Sequence, residues 1–230
     1  MSTTNPDDEI DYRPPPDTGL DLIHVDDDVV VVAKPAGLLS VPGRGADRAD
    51  CMASRVQARF ANALIVHRLD MATSGLLVFG RGAEVQRALS MAFAGRDVHK
   101  RYEAVVHGLV QPEQGEIDLP LITDWPRRPR QMVCFDRGKP SLTRYRVVAR
   151  DVGQGTTRVS LEPVTGRSHQ LRVHQMALGH PIVGDPLYGP DSVRPCDEVA
   201  AWRLHLHAAE LALPHPRDGR PMAWSSPVPF

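Results

Sequence analysis

Short runs of β-branched and aliphatic residues recur along most of the chain, separated by polar segments or by segments rich in glycine and proline. Runs of this kind, bounded by turn residues, are typical of β-strands. We therefore predict strands over residues 22–25, 29–35, 102–110, 142–150, 156–164 and 204–214, and two more within 65–80 on either side of a polar loop at 67–75. The number of strands indicates a fold dominated by sheet.

Three segments have the spacing of helices instead. Residues 51–60 form a short predicted helix, and apolar residues between 85 and 93 recur every three to four positions until Gly95 ends the pattern. A third predicted helix spans 168–178, with Ser168 as its N-cap. No repeat or long linker divides the chain. These elements predict one α+β domain with a mostly antiparallel mixed sheet and flanking helices.

The composition excludes several classes of protein. Apolar residues make up 42% of the 230 residues and charged residues 24%, as in ordinary globular proteins, and no apolar run is long enough for a membrane span. Residues 1–19 are acidic and proline-rich, so we expect a disordered or loosely attached arm rather than a signal peptide. Cys51, Cys134 and Cys196 are too few and too far apart for a disulfide framework or zinc knuckle. We expect a cytoplasmic protein that does not associate with membranes.

The near-neutral net charge of −1 hides a strong asymmetry. Residues 1–28 hold nine acids and one base, whereas residues 127–172 hold eleven bases and three acids. A basic stripe on a near-neutral protein favours a polyanionic partner such as nucleic acid. The alternative is a well-solvated arginine-rich surface, and charge alone does not separate the two.

A candidate catalytic carboxylate lies in the polar loop at 67–75. His67, Arg68, Leu69 and Asp70 follow an apolar strand. A carboxylate at a strand end can act as nucleophile or base if a cation keeps it ionised. The alternative is a turn aspartate paired with a neighbouring arginine, which is common.

The segment that opens the third helix carries further polar candidates. Arg167, His169 and Arg172 lie at or near its N-terminus, which favours an anion. The alternative is an ordinary polar helix face. His169 and His174 are five residues apart and would point about 140° apart on a helix, so we expect no shared metal ion. His205 and His207 alternate along a strand, where we expect structural roles.

A proline-rich basic loop carries a third set of candidates. Trp125 is followed by Arg127, Arg128 and Arg130. Arginine contacts phosphates and aromatic rings stack on bases, so this loop is a candidate RNA contact. Alternatively, the loop packs on the domain with Trp125 as a core anchor and the arginines facing solvent. Nucleotide-binding, metal-binding and serine-hydrolase motifs are absent from the sequence, so we expect no cofactor and no metal.

Residues 67–78, HRLDMATSGLLV, resemble the RluA-type family of RNA pseudouridine synthases. Three more blocks agree in order: 32–38, 100–108, and 165–174 followed by 179–189. The resemblance covers about residues 20–230, which we expect to be the catalytic domain, without the S4 RNA-binding domain of many relatives. Segments 118–130 and 133–140 are closer to members that act on both ribosomal RNA and tRNA.

The resemblance implies an enzyme that isomerises uridine in RNA to pseudouridine without cofactor or metal. It places the essential aspartate on Asp70, the active-site tyrosine on Tyr102 and the arginine that pairs with the aspartate on Arg172. It assigns Arg68 to the space left by the flipped base, as base flipping would require. His67 and Arg167 then belong to the substrate-binding set. The implied fold is that of pseudouridine synthases.

Several alternatives stay open at the level of sequence. A non-catalytic RNA-binding module would predict a lost aspartate or tyrosine, and a hydrolytic glycosidase or nuclease would want a second carboxylate or a metal cluster. The implied substrates are 23S rRNA and the tRNA anticodon arm, or only one of them, and not DNA. Asp70 has three open roles, namely attack on ribose C1′, attack on the base, or removal of a ribose proton. We expect a monomer.

Overall fold

The computed structural model describes residues 12–190 and 203–230, so Cys196 and most of the acidic arm lie outside it. The helices are α1 (Met52–Arg59), α2 (Ala83–Gly95) and α3 (Gln170–Ala177). The strands are β1 (Leu22–Val25), β2 (Val29–Lys34), β3 (Ala63–Ile65), β4 (Ser74–Arg81), β5 (His99–His107), β6 (Gln114–Asp118), β7 (Leu121–Thr123), β8 (Gln131–Val133), β9 (Leu142–Asp151), β10 (Thr156–Pro163), β11 (Leu206–Pro214) and β12 (Pro221–Ser225). None of the helices in this part of the chain is long and apolar enough to cross a bilayer.

Ten of these strands form one mixed sheet. Eight follow one another in the order β1-β2-β4-β11-β5-β10-β9-β6, while β3 pairs with β4 and β12 with β11. The β4–β11 pair is parallel, and the other pairings among the described strands are antiparallel. The two remaining strands, β7 and β8, form a separate hairpin. The predicted α+β class with a mostly antiparallel mixed sheet is confirmed.

The continuous apolar run of β2 is explained by burial on both faces of the sheet. Val30 and Val32 pack in a cluster with α1, whereas Val29 and Val31 pack in a cluster with α2. Alternate side chains of a strand point to opposite faces, so a strand covered on both sides needs apolar residues at every position. The loop at 67–73 leads into β4, which pairs with β2 in this doubly covered part of the sheet.

The predicted strands and the first two helices are confirmed within a few residues, and one predicted cap is wrong. Helix α3 begins at Gln170, with His169 as its N-cap in the left-handed conformation (φ 53°), not with Ser168. The Gln170 side-chain oxygen accepts hydrogen bonds from the Thr165 hydroxyl and the Arg167 backbone N–H, which organises the approach to the helix. Strands β6, β7, β8 and β12 were not predicted, because each is short and carries little apolar pattern.

The proline-rich end of the predicted arm contacts the domain where it is described. The Tyr12 hydroxyl donates to the backbone oxygen of Asp50 at 2.8 Å and accepts from the Leu39 N–H at 3.1 Å. Arg55 donates to the Pro15 oxygen at 2.6 Å. Residues 12–19 are therefore held against α1 and the loop before it, while residues 1–11 lie outside the described part.

Candidate active site

The loop that carries Asp70 is clamped from two sides. The buried ammonium of Lys34, at the end of β2, donates to the backbone oxygens of Pro35, Leu38 and Met71 at 2.8, 2.6 and 3.0 Å. The Ser40 hydroxyl donates to the Leu69 oxygen at 2.7 Å and accepts from the Leu69 N–H at 3.0 Å. Both residues that flank Asp70 are thus tied to the segment after β2. The carboxylate is carried on a rigid loop between β3 and β4.

Arg172 meets this loop from α3 and is itself held by Asp185. Its Nε and Nη2 donate to the two carboxylate oxygens of Asp185 at 2.8 and 2.7 Å. The side chain of Asp185 is fully buried and also accepts from the backbone N–H groups of Leu187 and Tyr188. Burial disfavours charge on Arg172, but the Asp185 carboxylate outweighs it and raises the pKa of the guanidinium. A two-point bond of this kind fixes the plane of the guanidinium.

The remaining donor of Arg172 contacts the candidate catalytic carboxylate. Arg172 Nη1 donates to Asp70 Oδ2 at 3.2 Å. Asp70 Oδ1 has no hydrogen-bond partner within residues 12–190 and 203–230, and the side chain is 27% exposed. One carboxylate oxygen is therefore bound to a cation, and the other is presented to the space beside the loop.

That space is a cavity of about 470 Å³ between the Asp70 loop and the approach to α3. Tyr102 lines it from β5, half-buried between two core clusters. Burial, together with the nearby charge of Asp70, raises the pKa of the Tyr102 hydroxyl. Tyr102 is therefore a neutral proton donor at neutral pH, placed in the same cavity as the Asp70 side chain.

His169 adds a second donor on the Arg172 side. The Tyr188 hydroxyl accepts from the Gln131 N–H at 2.7 Å and lies 2.7 Å from His169 Nδ1. Burial raises the pKa of Tyr188 to about 12, so its hydroxyl keeps its hydrogen and can donate it to Nδ1. Burial also lowers the pKa of His169. With that donation, the neutral imidazole carries its proton on Nε2, which lies 3.9 Å from Asp70 Oδ2.

Three further predicted residues line the cavity and differ in their contacts. His67 Nε2 accepts from the Val78 N–H at 3.2 Å, and its ring stacks on Phe93, so part of its function is structural. Arg68 is exposed and makes no ion pair or hydrogen bond within the described residues. Arg167 donates to the Pro140 oxygen at 3.2 Å. Arg68 is the predicted residue left with the most freedom to contact a ligand.

The basic loop lies outside this cavity, on the β7–β8 hairpin. Trp125 is 66% exposed, which rules out the alternative in which it anchors the loop in the core. The Arg128 guanidinium lies 4.8 Å from the centre of the Trp125 ring, and Arg127 pairs with Asp124 at 2.7 Å. Arg130 lies over the Tyr188 ring at 5.5 Å. The hairpin therefore presents an exposed aromatic ring and arginines, and it contacts His169 and Arg172 of the cavity through Tyr188.

Sequence patterns missed the residues that support the candidate catalytic groups. Lys34, Ser40, Asp185 and Tyr188 were not singled out, although a lysine at the end of an apolar strand with four consecutive valines is a usable signal for a buried, hydrogen-bonded ammonium. The two strand histidines expected to be structural differ in their contacts. His207 bonds to the hydroxyls of Ser74 and Ser226, whereas the ring of His205 stacks on Phe230 and its buried Nδ1 has no hydrogen-bond partner within the described residues.

Comparison with known proteins identifies the family. Residues 28–177 match the family model described as RNA pseudouridylate synthase. The chain belongs to this family. It is 48% identical over 221 residues to the dual-specificity RNA pseudouridine synthase RluA of Pasteurella multocida, covering 96% of this chain and 99% of that protein. Identity to the protein of the same name from Escherichia coli is 47% over 219 residues, covering 95% and 98%.

A solved structure agrees with this family assignment. The structure named human RNA pseudouridylate synthase domain containing 1 superposes with a TM-score of 0.77 at 30% identity, covering 95% of this chain and 87% of that one. The resemblance stated from the sequence motifs is therefore confirmed, as are the expected fold and the isomerase class. This family member acts on RNA, and the cavity around Asp70 is its candidate active site.

Proposed function

We propose that this protein converts uridines to pseudouridine in the tRNA anticodon stem-loop and in 23S rRNA, with Asp70, Tyr102 and Arg172 as its catalytic residues. The main support is the contact between Arg172 Nη1 and Asp70 Oδ2 in a cavity that also holds Tyr102. The motif-bearing residues, which come from three distant parts of the chain, meet at one point. The substrates are inferred from relatives that are named dual-specificity enzymes.

The geometry suggests how the residues divide the work. Cleavage of an N-glycosidic bond develops positive charge on the ribose, which a carboxylate can stabilise or trap. We assign this function to Asp70 Oδ1, since Oδ2 is bound to Arg172. The Asp185–Arg172 pair holds the carboxylate in place throughout, because both partners are buried. Electrostatic catalysis depends on such pre-arranged charges.

Tyr102 and Arg68 complete the assignment on the side of the base. The detached uracil must turn before it is rejoined through C5, and the Tyr102 ring offers a surface against which it can stack. The neutral hydroxyl of Tyr102 can serve in proton transfer, since its pKa is raised by burial and by Asp70. A base taken out of a folded loop leaves a gap, which the exposed Arg68 can fill.

The RNA contact surface in this proposal extends from the cavity to the β7–β8 hairpin. Trp125, Arg127 and Arg128 are exposed and Arg130 is half-buried, and we assign stacking to the ring and phosphate contacts to the arginines. We further propose that residues 20–230 act as the catalytic domain, that the protein works as a monomer, and that it acts in the cytoplasm where its RNA substrates are found. No metal or cofactor takes part in the proposed reaction.

The test is pseudouridine mapping of total RNA from cells with and without this protein. We expect the loss of pseudouridine at defined positions in tRNA and 23S rRNA, and its return when the wild-type protein is supplied but not when Asp70→Asn is supplied. Loss in only one of these RNAs would restrict the substrate range. An unchanged pseudouridine map would contradict the proposed function.

A further inference from the structure

A second cavity, of about 630 Å³, adjoins the catalytic cavity. Residues that line both cavities form a ridge between them: Lys100, Pro163, Thr165, Gly166 and Arg167. The ridge carries two cations and no carboxylate. A polymer whose target unit occupies the first cavity would have to cross this ridge to place its next unit in the second.

Lys100 is the unusual member of the ridge. It lies on β5 two positions before Tyr102, so both side chains point to the same face of the sheet. It is half-buried, and within the described residues its ammonium makes no ion pair and no hydrogen bond. Burial lowers its pKa, as expected for a charge that loses solvent without gaining a partner. Such a group costs stability, which favours a functional reason for its presence.

The surrounding charges leave Lys100 available to an anion. The second cavity contains two acids, Asp97 and Glu162. Glu162 lies 4.0 Å from the Arg144 guanidinium, so part of its charge is already balanced. The other cation of the ridge, Arg167, uses its Nε for the Pro140 oxygen, which leaves its terminal nitrogens for other contacts.

We propose that Lys100 and Arg167 bind a backbone phosphate next to the target uridine, and that the second cavity holds the neighbouring nucleotide. This subsite rests on the proposed function, since it assumes that the target base enters the Asp70 cavity. A phosphodiester supplies the anionic partner that the Lys100 ammonium lacks in the free protein. Phosphate contacts of this kind set the register of a nucleic acid on a protein.

The first test measures RNA binding by a variant that removes only the charge. Lys100→Met should weaken binding of a tRNA anticodon stem-loop about tenfold or more, and reduce the slope of log K against log salt by roughly 0.7. Lys100→Arg should retain the slope. The control is Arg87→Met, at an exposed position on α2, which should bind as wild type. The melting temperature of Lys100→Met should not fall, because the variant loses an unpaired half-buried charge. If Lys100 had only a structural function, the variant would melt at a lower temperature than the wild type.

The second test identifies the phosphate. Stem-loops are prepared with one neutral methylphosphonate linkage at each position within two nucleotides of the target uridine. At one position the substitution should weaken binding by the wild type but add little to the defect of Lys100→Met, because the same contact is removed twice. Wild-type affinity and salt slope in Lys100→Met, or additive effects at every linkage, would overturn the proposal.

The two proposals fail in different ways. Binding is measured without turnover, so the result for Lys100 is decided whether or not pseudouridine forms. If the wild type forms pseudouridine but Lys100→Met binds RNA as tightly, the phosphate subsite is wrong and the proposed function stands. If the wild type forms none, the proposed function is wrong, whatever the Lys100 variants show.

Discussion

Replacing Arg172 by Met tests the central contact of the site, because it removes the cation between two carboxylates. The side chain of Arg172 is 3% exposed and that of Asp185 is 0% exposed. Loss of the guanidinium leaves the Asp185 charge buried and unpaired, which costs about 3–5 kcal/mol of folding free energy. For a chain of this size the melting temperature should fall by roughly 6–20 °C.

The effect of Arg172→Met on the rate of pseudouridine formation has a lower limit that can be estimated in the same way. Arg172 donates one charge-assisted hydrogen bond to Asp70 at 3.2 Å. Such a bond is worth about 1.5–3 kcal/mol, so the loss of this contact alone should slow single-turnover pseudouridine formation about 10- to 160-fold. The measured loss of rate should exceed this range, because the Asp70 carboxylate also loses its orientation. We therefore expect no detectable turnover. The rate is followed by chromatography of nucleosides from digested RNA.

A second variant separates the two effects. Arg172→Met combined with Asp185→Asn removes the unpaired charge but keeps an oxygen that can accept from the N–H groups of Leu187 and Tyr188. Replacing both members of a buried ion pair is often nearly neutral, so thermal stability should return towards that of the wild type. Activity should not return. A stable double variant with activity within about tenfold of wild type would refute the assignment of Arg172.

Four further outcomes are expected. Asp70→Asn should lower turnover by several orders of magnitude while RNA binding stays nearly intact, because phosphate contacts dominate affinity; appreciable pseudouridine formation by the purified variant would contradict the assignment. Activity should persist in excess EDTA, apart from effects on RNA folding. A zinc requirement that magnesium cannot meet would contradict the proposal that no metal takes part in the reaction. Replacing Arg127, Arg128 and Arg130 by Gln should reduce the salt slope of binding by about 2 in total and leave turnover at saturating RNA much less affected; an unchanged slope and affinity would move the RNA contact elsewhere. His169→Gln, whose amide nitrogen can replace Nε2–H, should retain more activity than His169→Asn, and equal rates would exclude a donor at Nε2.

The proposed RNA surface also links binding to the catalytic groups. The Tyr188 hydroxyl accepts from the Gln131 N–H on the β7–β8 hairpin and is hydrogen-bonded to His169 Nδ1, and its ring lies 5.1 Å from the Arg172 guanidinium. Tyr188 therefore connects the proposed RNA contacts of the hairpin to the residues next to Asp70. Replacing Arg127, Arg128 and Arg130 by Gln measures how strongly this surface contributes to affinity.

Much of the fold followed from local pattern. The valine run of β2 and the apolar run of β4 were predicted as strands because consecutive apolar residues indicate a strand that is buried on both faces. The same holds for α1 and α2. The four unpredicted strands are short and partly polar, and they exist because a neighbouring strand offers hydrogen bonds, which no local pattern reveals.

By itself, the sequence determined the order of the main strands and helices, the basic stripe and the motif residues Asp70, Tyr102 and Arg172. Only the tertiary structure decided how these meet. Arg172 contacts Asp70 across 102 residues of sequence, and Asp185 fixes the guanidinium that makes the contact. Such contacts depend on which strands pair, in what register, and how α3 packs against the sheet. Those are cooperative properties of the folded chain, because a hydrogen bond between distant residues forms only when every intervening element is in place.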